Sequence, residues 1–229
     1  MLNVAVLLPD LLGTYGDSGN GLVLVERARR RGIEAALTMV NLDDPLPEAS
    51  IFLVGGGEDG PQRLARDLLA ANSLVERVRD GAHVLAVCAG LQILGTTFSV
   101  EGDDEFAGLG LVDAATHRGE RRSVGDLAIK VSGRWLVGFE NHGGRTTLGP
   151  SVVPLGEVAR GQGNDGTLDG YRSGRIWATY AHGPVLALNP WFADELLESV
   201  LGEPLEPLEG VADRLYTQRC RALNLASPS

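Results

Sequence analysis

The sequence predicts an α/β fold with a mostly parallel central sheet and a β-rich second half, on three observations. Up to about residue 95, apolar strand-type runs alternate with helix-type segments, the pattern of βαβ units with right-handed crossovers. From Phe98 to Tyr180 that alternation stops, and short β-type runs separated by glycine-rich turns take over without a convincing long helix. The tail then returns to helical periodicity.

The elements follow in order. Val4–Leu8 reads as the first strand, followed by the loop Tyr15-Gly16-Asp17-Ser18-Gly19-Asn20. A helix is predicted from about Gly21 to Arg31; Arg27, Arg29, Arg30 and Arg31 suit its C-terminal dipole, and Gly32 stops it. Ile33–Val40 and Ile51–Val54 are the next strands, the latter running into Gly55-Gly56-Gly57-Glu58-Asp59-Gly60. Pro61 opens a helix with Leu64, Leu68, Val75 and Val78 at helical spacing. A strand ending at Cys88 and a helix directly after it complete the first half. In the second half Leu127–Val131, Trp135–Phe139 and Ile176–Tyr180 read as strands, and Trp191–Leu201 and Val211–Leu225 as helices. No repeat or Pro/Gly/Ser linker divides the chain, so one domain over 1–229 is expected.

Composition narrows the classes of function. The chain has 229 residues, is 44% hydrophobic and carries a net charge of −10, which supports a sizeable core and argues against a nucleic-acid partner. Its two cysteines, Cys88 and Cys220, make no disulfide framework and point to a reducing compartment. The N-terminal apolar run has no basic region before it, and no apolar run approaches the length of a membrane span; a soluble, cytoplasmic protein is expected.

The chemistry centres on Val84-Leu85-Ala86-Val87-Cys88-Ala89-Gly90-Leu91-Gln92. An apolar run ends at a cysteine, two small residues follow and a helical run begins at once. This is the layout of a nucleophile elbow, in which a bulky Cβ in the turn would collide with neighbouring backbone. The helix N-terminus beyond it favours a thiolate and can hold an oxyanion. The alternative is a buried structural cysteine. Of the four histidines, His182 is the best base: it follows the apolar run Ile176–Ala181 and precedes Gly183-Pro184, at the end of a strand, where open α/β sheets place their chemistry. His83 lies upstream of the nucleophile at the start of its strand, and His117 reads as a solvated loop residue.

Gly55-Gly56-Gly57 offers backbone N–H groups free of Cβ atoms, which together with the Ala89 N–H suit an oxyanion hole; a tight turn is the alternative. Glu140-Asn141-His142-Gly143-Gly144-Arg145 ends another strand, and Asn141 offers both a donor and an acceptor to an amino acid's polar head. Arg121, Arg122 and Arg145 are candidate carboxylate clamps, each also readable as a surface charge. No His/Cys/carboxylate cluster has metal-ligand spacing.

Together these residues resemble the class I glutamine amidotransferases, with Gly55-Gly56-Gly57, Cys88-Ala89-Gly90-Leu91-Gln92 and His182-Gly183-Pro184 in that family's order. The similarity is greatest in the cobyric-acid-synthase-like branch, and within it to the glutaminase subunits (GatD type) of lipid II isoglutaminyl synthase. It rests there on Tyr15–Asn20, Arg122-Ser123-Val124-Gly125-Asp126 and Gly138–Thr146. The resemblance implies a three-layer sandwich in which Cys88 attacks the side-chain amide of L-glutamine and His182 shuttles the proton. It implies that Gln92 and Asn141 hold the substrate's polar head and that Arg122 is a substrate-binding residue. Gly56, Gly57 and Ala89 complete the expected binding residues.

One position departs from the family pattern. Most members carry a glutamate two residues after the catalytic histidine, where this chain has Pro184. An orienting carboxylate is therefore expected from elsewhere in this chain, with Glu140 as the candidate, or from a partner, and the resemblance implies the partner subunit. By resemblance that partner is a Mur-ligase-like synthetase carrying ATP and Mg, no cofactor is expected in this chain, and the ammonia goes to the α-carboxylate of D-glutamate in the lipid II stem peptide. Two other readings are a corrinoid amidotransferase, disfavoured because the first strand at Val4 leaves no room for a preceding ATP-binding domain, and a catalytically silent scaffold.

Overall fold

The computed structural model describes residues 1–99, 104–208 and 210–225. The first half consists of β1 (Leu2–Leu7), α1 (Pro9–Leu12), α2 (Gly19–Arg30), β2 (Ala35–Val40), β3 (Ile51–Val54), α3 (Asp59–Ala71), α4 (Leu74–Arg79), β4 (His83–Val87) and α5 (Ala89–Leu94). The second half begins with β5 (Thr97–Ser99), β6 (Glu105–Ala107), β7 (Ala114–Val131), β8 (Arg134–Leu148) and β9 (Gly156–Arg160). It continues through β10 (Leu168–Asp169), β11 (Tyr171–Ser173) and β12 (Ile176–Thr179) to α6 (Val185–Leu188), α7 (Pro190–Leu201) and α8 (Val211–Ala222).

The central sheet has the order β11-β12-β4-β3-β1-β2 and is parallel except where β11 meets β12. From its middle, β1 connects through α2 to β2 in one direction, and β3 connects through α3 to β4 in the other. Right-handed crossovers of opposite direction put their helices on opposite faces, which gives the expected three layers. Every residue of β3 and of β4 is buried, as continuous apolar strands covered on both faces must be.

The second sheet runs β10-β9-β7-β5-β6, with β8 paired to β7. One buried apolar cluster takes in both sheets, with Phe52 and Trp177 from the first and Leu127 and Leu136 from the second. The pair β7/β8 is a much longer ribbon than the sequence suggested. Residues 140–145 lie inside β8 rather than at a strand end, and His117 sits in β7 rather than in a loop, though its side chain is exposed. The glycines at 138, 143 and 144 concealed the strand; antiparallel pairing along its length overrides their low β-propensity. Pairing is interrupted between Arg118 and Ser123, where residues 119–122 bulge out of the ladder.

Smaller differences have local causes. The segment carrying Val75 and Val78 is a separate helix, because Ser73 breaks the run in the left-handed region at φ 61°. Helix α8 stops at Ala222, three residues short of expectation. Among the described residues no helix is long and apolar enough to cross a membrane.

This topology places the functional residues. The carboxyl ends of the neighbouring strands β12, β4, β3 and β1 lie side by side, and the segments leaving them carry His182, Cys88, Gly55–Gly57 and Asp17 respectively.

Candidate active site

Cys88 occupies the turn between β4 and α5 at φ 52° and ψ −106°, a backbone conformation that side-chain-bearing residues seldom adopt. Strain at one such residue, held by a fully buried strand on one side and a buried helix on the other, is the signature of a nucleophile elbow. Two contacts lock it. The Cys88 N–H donates to the Thr179 carbonyl at 3.0 Å, and the Gly90 N–H donates to the Gly55 carbonyl at 3.1 Å. Gly90 has to be glycine, since a Cβ there would come within 2.3 Å of the Val54 carbonyl oxygen.

His182 lies three residues beyond β12 and is fully buried. Its backbone exchanges hydrogen bonds with Phe139 at 2.8 and 3.2 Å, and its ring sits with the Phe139 ring 5.2 Å and the Tyr15 ring 4.4 Å away between centroids. The orienting carboxylate is Asp17: its Oδ2 is 2.9 Å from His182 Nδ1 and also accepts the Gly56 N–H at 2.9 Å. Asp17 is 2% exposed, so this pair is shielded from water. A carboxylate fixing Nδ1–H leaves Nε2 as the working nitrogen, the arrangement of a nucleophile–base–acid triad. Nε2 is buried without a hydrogen bond among the described residues, beside Cys88.

Of the expected sources, the chain itself places a carboxylate on His182, and it is Asp17 rather than Glu140. Glu140 is committed elsewhere: its carboxylate accepts from His142 Nε2 at 3.1 Å and from the backbone N–H groups of Gln162 and Gly163 at 2.7 and 2.9 Å. Burial alone would raise its pKa, but these donors together hold it below the usual value. The electrostatics of His182 go the other way. Burial would lower the imidazole, but the hydrogen bond to Asp17 and then the neighbouring Cys88 outweigh it and push the pKa from 6.5 up to about 10. An imidazolium held between a carboxylate and a thiol suits transfer of a proton to a leaving group.

Gly56, expected to bind substrate, is not among the residues that line the cavity beside Cys88. Its N–H is already given to Asp17, and it packs directly behind the reacting pair: a Cβ would lie 2.5 Å from His182 Cε1 and 3.3 Å from Cys88 Cβ. Gly56→Ala is expected to lower the rate at least 10²-fold by displacing the imidazole, with circular dichroism unchanged. An active, well-folded Gly56→Ala protein would contradict this packing. Gly57, by contrast, lines the cavity beside Cys88, and Ala89 opens the helix after it.

That cavity, of about 140 Å³, is also lined by Gln62, Gln92, Arg118, Arg122 and Asn141. The Gln92 amide is held at both ends, by Gln62 Nε2 donating to its Oε1 at 2.8 Å and by its own Nε2 donating to the Tyr180 hydroxyl at 3.1 Å. Tyr180 in turn lies 2.7 Å from the Thr146 hydroxyl and stacks on His142 at 3.8 Å. Arg122 Nε donates to Asn141 Oδ1 at 2.6 Å, and its Nη2 to the Tyr15 hydroxyl at 3.2 Å. Of the three candidate arginines only Arg122 reaches the cavity. Arg145 instead braces the bulge, donating to the Gly144 and Arg121 carbonyls at 2.8 and 3.0 Å, and the Arg121 side chain is exposed.

Cys88, His182, Gln92, Asn141, Arg122 and Gly57 thus converge as expected, while Asp17, Tyr15 and Gln62 were not anticipated. The loop 15–20 had been singled out only by resemblance; the missing signal was that β1 and β3 are neighbours, which brings Asp17 against the glycine triplet. His83, bonded to the Ser199 hydroxyl at 3.1 Å, stays outside the site. No group of three or more His, Cys, Asp or Glu among the described residues could hold a metal ion.

Comparisons with known proteins give the family. The model of the CobB/CobQ-like glutamine amidotransferase domain matches residues 3–190. The subunit GatD of lipid II isoglutaminyl synthase (glutamine-hydrolyzing) from Staphylococcus aureus is 35% identical over 218 residues, 91% of this chain and 89% of that one. Its namesake from Streptococcus pneumoniae is 34% identical over 209 residues, covering 87% and 80%. A cobyric acid synthase from Pelotomaculum thermopropionicum is 37% identical over 206 residues, which is 80% of this chain but only 37% of that protein. Among solved structures, a glutamine amidotransferase superposes with a TM-score of 0.61 at 24% identity, covering 86% of this chain and 98% of that one. The structure of PurLQS from Thermotoga maritima does so at 0.54 and 16%, covering 88% and 96%. At these identities the structures speak for the fold alone.

Proposed function

This chain belongs to the CobB/CobQ-like glutamine amidotransferases, and from that premise we propose that it is the glutaminase subunit of a lipid II isoglutaminyl synthase. The observation that carries the chemistry is the Cys88–His182–Asp17 alignment beside a cavity lined by amide and guanidinium groups. In the proposed reaction the Cys88 thiolate attacks the side-chain carbonyl carbon of L-glutamine. The oxyanion that forms is held by the N–H groups of Ala89 and Gly57. His182 gives its Nε2 proton to the departing nitrogen, so ammonia leaves and a thioester remains. Neutral His182 then takes a proton from water, the resulting hydroxide attacks the thioester, and glutamate and the thiol are regenerated. The sum is glutamine plus water giving glutamate plus ammonia.

The ammonia is proposed to pass to a Mur-ligase-like synthetase subunit in the cytoplasm. That partner would use ATP and Mg to activate the D-glutamate α-carboxylate of the lipid II stem peptide. The match to GatD over most of both chains supports this reading. Asp17, which lies in this chain, supports an orientation of His182 from within it. The test supplies [amide-¹⁵N]glutamine, ATP and a lipid II acceptor to the chain with and without a candidate synthetase. Label in the stem-peptide amide, lost in Cys88→Ala but restored there by free [¹⁵N]ammonia, is the expected result. Undiminished glutamine-dependent labelling with Cys88→Ala would sink the proposal.

Arg122→Ala is expected to raise the glutamine KM roughly ten- to a hundredfold, the range for losing a charge-assisted hydrogen bond, while Arg121→Ala changes it little. Equal effects in the two variants would show that Arg122 acts only as surface charge.

A further inference from the structure

Arg122 is poorly available as a two-pronged clamp, because the Nε/Nη2 edge of its guanidinium already grips Asn141. Nε donates to Oδ1 at 2.6 Å, and Nη2 donates to the backbone carbonyl at 3.4 Å and to Tyr15 at 3.2 Å. Its Nη2 also lies 3.9 Å from a Glu58 carboxylate oxygen, which partly neutralises it. Lining the same cavity is a second guanidinium, Arg118, which among the described residues has no hydrogen bond, ion pair or ring partner.

The strand places Arg118 there. It pairs with Gly144 across the ribbon, as the last rung before the bulge. Side chains two apart share a face of a strand, so Arg118 is on the face of Thr116. Thr116 points inward: it is 2% exposed, and its hydroxyl is 2.8 Å from Thr146, whose own hydroxyl contacts Tyr180. Gly144 also leaves room, for a Cβ there would lie 2.5 Å from Gln92 Nε2. Asp59 and Glu120 also line the cavity. Two guanidiniums and two carboxylates around one small space suit a molecule carrying both an anionic and a cationic group, as a free amino acid does.

We propose that Arg118 binds the α-carboxylate of the substrate, supplying the two-pronged contact that Arg122, held by Asn141, completes from its free edge. This rests on the glutaminase reading above and adds a specificity determinant to it. An unpaired guanidinium at this position selects free glutamine over amides that lack the adjacent carboxylate, such as internal glutamines of peptides.

The test follows alkylation of Cys88 in the full chain by two reagents. 6-Diazo-5-oxo-L-norleucine carries the amino-acid head of glutamine, whereas iodoacetamide does not. Arg118→Ala is expected to raise the half-saturating concentration of the diazoketone roughly ten- to a hundredfold and to leave the iodoacetamide rate unchanged. Arg118→Lys, which keeps the charge and loses the fork, is expected to fall between wild type and Arg118→Ala. An unchanged diazoketone constant in Arg118→Ala would overturn the assignment. Equal slowing of both reagents would also overturn it, marking a disturbed nucleophile instead of a lost head-group contact. Failure of the wild-type chain to show saturable diazoketone labelling at Cys88 would instead bring down the glutaminase reading, and this subsite with it.

Discussion

Asp17→Asn is expected to lower glutamine hydrolysis by about 10⁴ in kcat, with little change in KM or in fold. The substitution is isosteric, but it cannot reproduce Asp17 Oδ2, which by itself both accepts the Gly56 N–H and faces His182 Nδ1, each at 2.9 Å. With its carbonyl there the asparagine keeps both contacts without the charge that holds the imidazolium; with its NH₂ there it loses the Gly56 bond and imposes on His182 the tautomer with its proton on Nε2. An imidazole in that tautomer cannot take a proton from water, and the corresponding change in a serine-protease triad is worth about 10⁴. Removal of the charge also lowers the imidazole pKa, which Asp17 and Cys88 together hold at about 10. A two-dimensional NMR titration of His182 should show that drop, a readout that a merely structural role would not move.

The sign of the linked stability effect follows. The folded His182 pKa is raised above the ordinary 6.5, so its contribution to stability is complete below about pH 6.5 and is lost as pH rises towards about 10. Wild-type stability should therefore decline across that window more steeply than that of Asp17→Asn. Unimpaired kcat in Asp17→Asn, together with an unmoved His182 titration, would remove Asp17 from the triad.

Cys88→Ala and Cys88→Ser are expected to abolish hydrolysis while preserving the fold. Both side chains fit the space of a residue that is 5% exposed, and neither supplies a thiolate. Mass spectrometry after diazoketone treatment should find the adduct on Cys88; an adduct on Cys220 with activity retained in Cys88→Ala would reverse the assignment. A third variant reads the strain in the elbow. At φ 52° and ψ −106° any Cβ is held unfavourably, so Cys88→Gly should be more stable than Cys88→Ala by about 1 kcal/mol in denaturant unfolding. The usual penalty for glycine would appear only if the elbow were relaxed.

Much of this site was legible in the chain because it is built from local rules. An apolar strand of five residues ending at a cysteine, followed by Ala89 and Gly90, specifies the elbow through steric limits that act within a few residues. His182 and the glycine triplet were legible for a related reason: alternating strands and helices imply a parallel sheet, and such sheets gather chemistry at their carboxyl edge. The identity of the orienting acid lay beyond that reach. Asp17 and His182 are 165 residues apart, and only the strand order β12-β4-β3-β1 sets their loops against one another. Glu140, nearer in sequence to Cys88, Arg122, Asn141 and His182, was instead drawn into a buried contact with His142 and the backbone of residues 162 and 163.

The arginines divide in the same way. Which of them reach the cavity depends on a bulge between Arg118 and Ser123, where the ladder slips and successive side chains no longer alternate simply between faces. The sequence by itself determined the candidate nucleophile and base and the sheet that carries them, because those follow from short-range sterics and hydrophobic periodicity. Only the tertiary structure decided the orienting carboxylate and the cavity's charged lining, because they depend on strand order and pairing register, which are settled by long-range packing.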